Sequence, residues 1–460
     1  MKPTKLGDLL KGIAITKQPD IIISKVTTDS RDITEGCLFV AIKGDRFDGN
    51  DYARKAIEAG AAAVLVSRDT SCDGEQILVR DTKDALIEMA GNYRNQFAPK
   101  TVGVTGSVGK TTTKEMTAAI FSAFGKTLKN QGNQNNEIGL PSTLFEMDET
   151  TEFAVLEMGM NGLGDIRKLA TAAKPRAGVI TTIGVSHLEL LGSRENILKA
   201  KLEIIEGMPI DGVLVINGDD ELLMGARDEL EIETATFAIN NTDADVVAKD
   251  IMMRPMSTDF TIADRVNGSF KAMIPCAGSH NVMDSLAAYT LATRIGLDPQ
   301  KCAEALSTYV PAGMRQKFVD LDGITIIEDC YNASPESMNA SLRTLAELPV
   351  EGIKVAVLGD MLELGEISRD AHSQIGIDAA KMGIDILLCY GEKTKLTVES
   401  AKSAGITSAV HFDDKNALAD YVYKTLHNGD AVVFKASRAI QMEDVIEKFY
   451  SLHSDGRTER

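Results

Sequence analysis

Short apolar runs alternate with longer stretches of helical spacing along most of the chain. Residues 51–60 read as a helix, 62–67 as a strand, and 84–97 as a helix closed by Pro99. Strand–helix alternation then sets in. Residues 101–105, 153–157, 177–183 and 212–217 are apolar and β-rich, whereas 111–124 and 194–205 carry helical spacing. Strands that alternate with helices predict a parallel sheet covered on both faces. Residues 219–269 are more polar and read as irregular. A helix over 280–295 follows, ended by Gly296 and Pro299.

The character changes again near residues 311–313. Strands are predicted over 325–328, 354–358, 384–390, 409–412 and 431–435. The helices between and after them fall over 335–345, 368–382, 394–404, 416–427 and 442–450. This is a second doubly wound unit of Rossmann-like type. The polar tail 451–460 is expected to fray. The fold class is therefore α/β with three domains. They are a small α/β domain over 1–84, a central parallel-sheet domain over 85–312, and a Rossmann-like domain over 313–460. The 460-residue length agrees with that division.

Composition narrows the function. A formal net charge of -18 argues against broad nucleic-acid or anionic-membrane binding, which wants a basic surface. It leaves anionic small substrates open, because a local cradle of amides and cations can hold phosphate. No C-x-x-C pair occurs, so Cys37, Cys72, Cys276, Cys302, Cys330 and Cys389 read as reduced thiols. Residues 1–17 lack the apolar core of a secretion signal, and no apolar run has membrane-spanning length. A cytoplasmic protein that binds no nucleic acid and inserts into no membrane is expected.

The sharpest chemical signal is Thr105-Gly106-Ser107-Val108-Gly109-Lys110-Thr111-Thr112, between a predicted strand and a predicted helix. In that setting the glycines let backbone N–H groups turn toward phosphate. Lys110 reaches the β- and γ-phosphates of ATP, and the Thr111 or Thr112 hydroxyl can bind Mg²⁺. Val104 stands where the longer P-loop pattern has glycine, so the match is to the shorter T-G-x-x-G-K-T form.

Other positions are ambiguous by themselves. Glu157 ends a strand, where a metal carboxylate and a solvated strand end fit equally. His187 alone reads first as a structural loop histidine. Lys201, beside Lys199, reads as part of a solvated helix face, since an ammonium would oppose a nearby metal.

Taken together these motifs resemble the Mur ligase family. Glu157, His187 and the Lys199-Ala200-Lys201-Leu202-Glu203 segment match its central-domain motifs in order and spacing. The resemblance implies that Glu157 and His187, with Thr111, bind one of two Mg²⁺ ions. It implies that Lys201 carries a carbamate, which removes the electrostatic objection. It also gives catalytic roles to Lys110, Lys201, His187 and Glu157, and places Asn135 and Asn136 beside the donor peptide. Asn281, Arg315 and Asp329 are expected on the nucleotide.

Asp329-Cys330-Tyr331-Asn332-Ala333-Ser334-Pro335-Glu336-Ser337-Met338 resembles the D-x-Y-N-A-[NS]-P-x-S-M motif of the MurF type. The D-N-P-R motif of the MurE type is absent. Phe434-Lys435-Ala436-Ser437-Arg438 also fits the MurF type, with Ala436 in place of the commoner glycine. Thr27-Thr28-Asp29-Ser30-Arg31 and residues 44–49 resemble a UDP-binding first domain. The implied substrates are UDP-MurNAc-tripeptide, held at Thr28, Ser30 and Arg31, and D-alanyl-D-alanine, near Tyr331, Asn332, Ser334, Ser437 and Arg438. The implied enzyme is a monomeric ATP-dependent amide ligase of peptidoglycan synthesis.

Overall fold

A computed structural model describes residues 1–44, 47–311 and 313–458, with side chains described as far as residue 454. Asp45 and Arg46 of the expected first-domain loop lie outside the described residues, as does Ala312 at the expected second junction.

Three larger sheets organise the chain, each built from the apolar runs read above. The first has four parallel strands in the order Lys25–Thr27, Cys37–Val40, Ala63–Val66, Glu75–Leu78. Cys37–Val40 and Ala63–Val66 are buried throughout, which is why they read as unbroken apolar runs. The helix Thr82–Arg94 follows, capped by the Asp81 carboxylate on the Lys83 and Asp84 amides.

The second sheet has nine strands. Its parallel part centres on Lys100–Thr105, flanked by Phe153–Glu157 and Ala177–Ile180, with Val213–Asn217 and Glu233–Ala238 beyond. Thr127–Lys129 forms the opposite edge. The helices Lys110–Ser122 and Ser279–Arg294 pack together on one face.

Residues 219–269, expected to be irregular, are largely sheet. Val246–Arg254, Ser257–Asp264 and Gly268–Ile274 form an antiparallel extension of the nine-stranded sheet. Along Ser257–Asp264, buried and half-buried residues alternate. A strand with one wet face spreads its apolar residues thinly, so the run looked polar. Pro299 was expected to help end a helix. It instead occupies the first turn of the next one, Pro299–Ala305, where its missing N–H costs nothing.

The third sheet has six strands in the order Lys317–Leu321, Ile324–Glu328, Ala431–Lys435, Lys354–Gly359, Ile386–Tyr390, Ser408–Phe412. All neighbours are parallel except the first pair, an edge hairpin the sequence reading missed. The closing helix, Glu443–Thr458, runs through most of the tail expected to fray. Phe449, packed at 0% exposure beside Phe434, holds this helix on the sheet. Among the described residues no helix is long and apolar enough to cross a membrane, and the six cysteines are free thiols.

Candidate active site

The C-terminal ends of strands Lys100–Thr105, Phe153–Glu157 and Ala177–Ile180 open on one cleft of about 790 Å³. The six-stranded sheet closes it from the other side with Tyr331, Asn332 and Ser334. Loops at the carboxyl edge of a parallel sheet are where such folds bind ligands.

The phosphate loop links Lys100–Thr105 to the helix Lys110–Ser122. Gly106 and Gly109 have φ of 150° and 85°. A Cβ on Gly106 would lie 1.8 Å from Thr181 Oγ1, and one on Gly109 would lie 2.4 Å from Asp284 Oδ1. Only glycine fits either place. Lys110 is folded back onto its own loop, donating to the Gly106 and Ser107 carbonyls at 2.8 and 3.2 Å. Burial, assisted by Arg315, pushes its pKa down, while Glu157 opposes the shift.

Thr111 Oγ1 donates to Glu157 Oε2 at 2.8 Å, and Asn135 Nδ2 donates to Glu157 Oε1 at 2.7 Å. The Asn130 side chain brackets the Glu157 backbone with two 2.9 Å bonds. The carboxylate is thus held rigidly at the strand end, which decides against a freely solvated one. Asn136 Oδ1 accepts from the Ile138 and Gly139 amides, fixing the start of the helix Gly139–Leu144.

His187 faces the same cleft from a left-handed turn with φ of 67°. Burial, then Lys110 and Lys201, lower its pKa to about 4, so the ring is neutral at pH 7 and able to ligate. Lys201 is 2% exposed, not on a solvated helix face. Burial and the nearby Lys110 charge hold its pKa well below the ordinary lysine value. Oxygen donors from Thr111 and Glu157 beside a neutral imidazole suit a hard cation that keeps water and phosphate among its ligands. Among the described residues no three His, Cys, Asp or Glu side chains converge on one point.

The remaining expected residues divide. Arg315 reaches the site: its guanidinium donates to Thr111 Oγ1 at 2.6 Å and lies 4.1 Å over the Tyr331 ring. Asp329 lines the cleft but is paired with Lys435 at 2.7 Å and accepts from Ser341. Asn281 is buried and donates to Ala277 O and to Gln316 Oε1, while its neighbour His280 lines the cleft. Ser437 is bound into the sheet edge by the Leu362 amide, and Arg438 pairs with Glu443. Neither lines the cleft. Thr28, Ser30 and Arg31 also stand apart from it; Arg31 is fixed on Asp29 by a two-pronged ion pair, and Lys83 lines the cleft from the helix after the four-stranded sheet.

Sequence reasoning passed over Lys435, His280, Gln316 and Glu336. Each lines the cleft; Lys435 and Glu336 fall inside the Phe434–Arg438 and Asp329–Met338 motifs, where the sequence gave them no role of their own.

Three family profiles match nearly end to end. Residues 104–292 match the Mur ligase middle domain, 314–438 the Mur ligase glutamate ligase domain, and 22–102 the Mur ligase family catalytic domain. The chain belongs to the Mur ligase family. Among curated relatives, this Mur ligase is 40% identical over 448 residues to the UDP-N-acetylmuramoyl-tripeptide–D-alanyl-D-alanine ligase of Bacillus subtilis, covering 96% of each chain. It is 37% identical to the enzyme of that name from Escherichia coli, covering 96% of this chain and 97% of the other. Its fold superposes on crystal structure I of MurF from Acinetobacter baumannii with a TM-score of 0.89 at 29% identity, covering 98% and 99%. MurF ligase from Thermotoga maritima in complex with ADP gives 0.86 at 29% identity, covering 94% and 98%.

Proposed function

We propose that this Mur ligase joins D-alanyl-D-alanine to UDP-MurNAc-tripeptide at the expense of ATP. The products are UDP-MurNAc-pentapeptide, ADP and phosphate, and the setting is cytoplasmic peptidoglycan precursor synthesis. One observation carries the reading beyond the relatives' names. A single cleft is lined by the phosphate loop, by Glu157 and His187, and by Tyr331–Ser334 of the third sheet. A plain ATPase leaves that third wall without a task.

We read the three sheets as donor, nucleotide and acceptor units, over 1–84, 85–312 and 313–460. ATP phosphates lie on the amides of Gly106–Thr112, with Lys110 swinging from its loop carbonyls to the γ-phosphate. The donor carboxylate attacks the γ-phosphorus, ADP leaves, and an acyl phosphate forms. Asn135 and Asn136 flank the donor peptide there. The dipeptide amine then attacks the acyl carbon, the tetrahedral intermediate loses phosphate, and the amine proton is released. Arg315 reaches the nucleotide from the acceptor side, and closure of the cleft shields the acyl phosphate from water.

Thr111, Glu157 and His187 would hold Mg²⁺, which neutralises charge building on the transferring phosphoryl group. Lys201, buried and shifted toward its neutral amine, is suited to take up CO₂ as a carbamate that supports a second Mg²⁺.

Phosphate release from ATP, measured with UDP-MurNAc-tripeptide in the presence and absence of D-alanyl-D-alanine, tests the reading. Release that requires both substrates, with a product mass gain equal to the dipeptide less water, is expected. Release indifferent to the dipeptide overturns it.

A further inference from the structure

The turn that carries His187 is tied down at Thr182, Ile183, Gly184 and Val185 before it. Asp220 Oδ2 accepts from the Thr182 hydroxyl and the Ile183 amide, at 2.9 and 2.7 Å. The Gly184 amide donates to Ser107 Oγ in the phosphate loop at 2.8 Å. These anchors all belong to the nine-stranded unit. The next one does not. The Val185 amide donates to Glu336 Oε1 at 2.5 Å, and Glu336 sits in the first turn of the helix Pro335–Glu347 on the six-stranded sheet.

Two further observations single out this carboxylate. A Cβ on Gly184 would lie 2.6 Å from Glu336 Oε1, so glycine at that position makes room for the contact. Glu336 Oε2 is buried without a hydrogen-bond partner, and no ion pair involves Glu336 among the described residues. A buried carboxylate oxygen left unmatched is a costly feature, and among the described residues the hydrogen bond of the other oxygen, Oε1, reaches across to the His187 turn. The same turn meets the third sheet's unit a second time, where a Cβ on Gly365 would lie 3.1 Å from Glu189 Cδ.

We propose that Glu336 is a positioning residue for the ligation. Its bond to the Val185 amide sets the His187 turn in place only when the six-stranded unit is docked over the cleft. The proposal rests on the ligase reading given above, and it couples acceptor-side docking to the residues around the γ-phosphate.

The test compares the full-length wild type with E336A and E336Q, because a glutamine oxygen can still accept from the Val185 amide. In E336A, kcat is expected to fall roughly tenfold or more, with KM for ATP held within about twofold. E336Q should retain most of the wild-type kcat. Hydrogen exchange of amides 183–187 should speed up in E336A and stay near wild type in E336Q. Unchanged kcat and exchange in E336A overturn the proposal, and so does an E336Q as impaired as E336A. Should E336A fail to fold, G184A pushes the carboxylate away from the other side and is read by the same two measurements. If wild type shows no dipeptide-dependent release, the ligase reading falls, yet the exchange comparison still decides whether Glu336 holds the turn.

Discussion

Arg315 and Thr111 are 204 residues apart in sequence, yet the arginine donates to the threonine hydroxyl at 2.6 Å. That hydroxyl in turn donates a hydrogen bond to Glu157 Oε2 at 2.8 Å. A residue beside the six-stranded sheet thus completes a hydrogen-bonded chain on the phosphate-loop side. The contact joins the two sheets' units across the cleft, so its loss should weigh on turnover. Arg315→Ala should lower kcat by roughly 100-fold while changing ATP affinity by no more than about threefold. Arg315→Lys should recover little of it, because an ammonium cannot both donate to Thr111 and stack on Tyr331. Steady-state kinetics beside calorimetric ATP titration checks this, and equal losses in the two would count against it.

The phosphate loop leaves no room for a methyl group. Gly106→Ala would drive its Cβ into Thr181 Oγ1, which itself donates to Val108 O at 2.5 Å. The loop must move to relieve the clash. ATP affinity should drop at least roughly tenfold, with secondary structure preserved. Calorimetry and far-ultraviolet circular dichroism on one sample read both.

His280 gives the fold an acid sensitivity. Burial lowers its pKa to about 4, against 6.5 when exposed, although the bond to Gln316 opposes the shift. Between pH 4 and 6.5 the unfolded chain binds a proton that the folded chain refuses. Stability therefore rises with pH across that window and levels off above it. From this histidine alone the protein should be about 2 kcal/mol less stable at pH 5 than at pH 7. Urea unfolding of wild type and His280→Gln at both pH values tests it: the difference should shrink in the variant.

Asp329 and Lys435 form a buried pair with side chains 10% and 3% exposed. Removing one charge strands the other. Lys435→Met should cost about 3–5 kcal/mol of unfolding free energy, and adding Asp329→Asn should return part of it. A double-variant cycle measured in urea gives the answer. Additive losses would mean that the pair is not coupled.

Lys201 should take up CO₂. A ¹³C carbamate signal is expected when ¹³C-bicarbonate is supplied at pH 8, and none from Lys201→Ala. Depleting bicarbonate should lower activity in proportion to the loss of that signal.

Much of the fold was legible because parallel, doubly covered strands announce themselves as unbroken apolar runs. Ala431–Lys435 and Phe153–Glu157 appear within the bounds the sequence predicts. The strands that escaped notice are half-wet. Ser257–Asp264 and Lys317–Leu321 each hide their pattern behind a solvated face. In the site, the phosphate loop was legible since its glycines, lysine and hydroxyls are consecutive. Glu157 was not decidable from position, because what makes it rigid, Asn130 and Asn135, arrives from a different loop. Glu336 lies inside the Asp329–Met338 motif, yet nothing in the sequence gave it a role. Its role depends on a backbone amide 151 residues away, and an amide has no letter in a sequence.

The edge hairpin begins at Lys317, two residues after Arg315, and Lys317 is paired in register with Glu328 on the neighbouring strand. That leaves almost no slack between the guanidinium and the sheet. Any rotation of the sheet carries Arg315 along like the short arm of a lever, and the long arm is the whole six-stranded unit. A swing that is large at the far edge is thus scaled down to a small displacement at Thr111, where a 2.6 Å hydrogen bond still registers it. The pivot and the gauge are made of the same few residues.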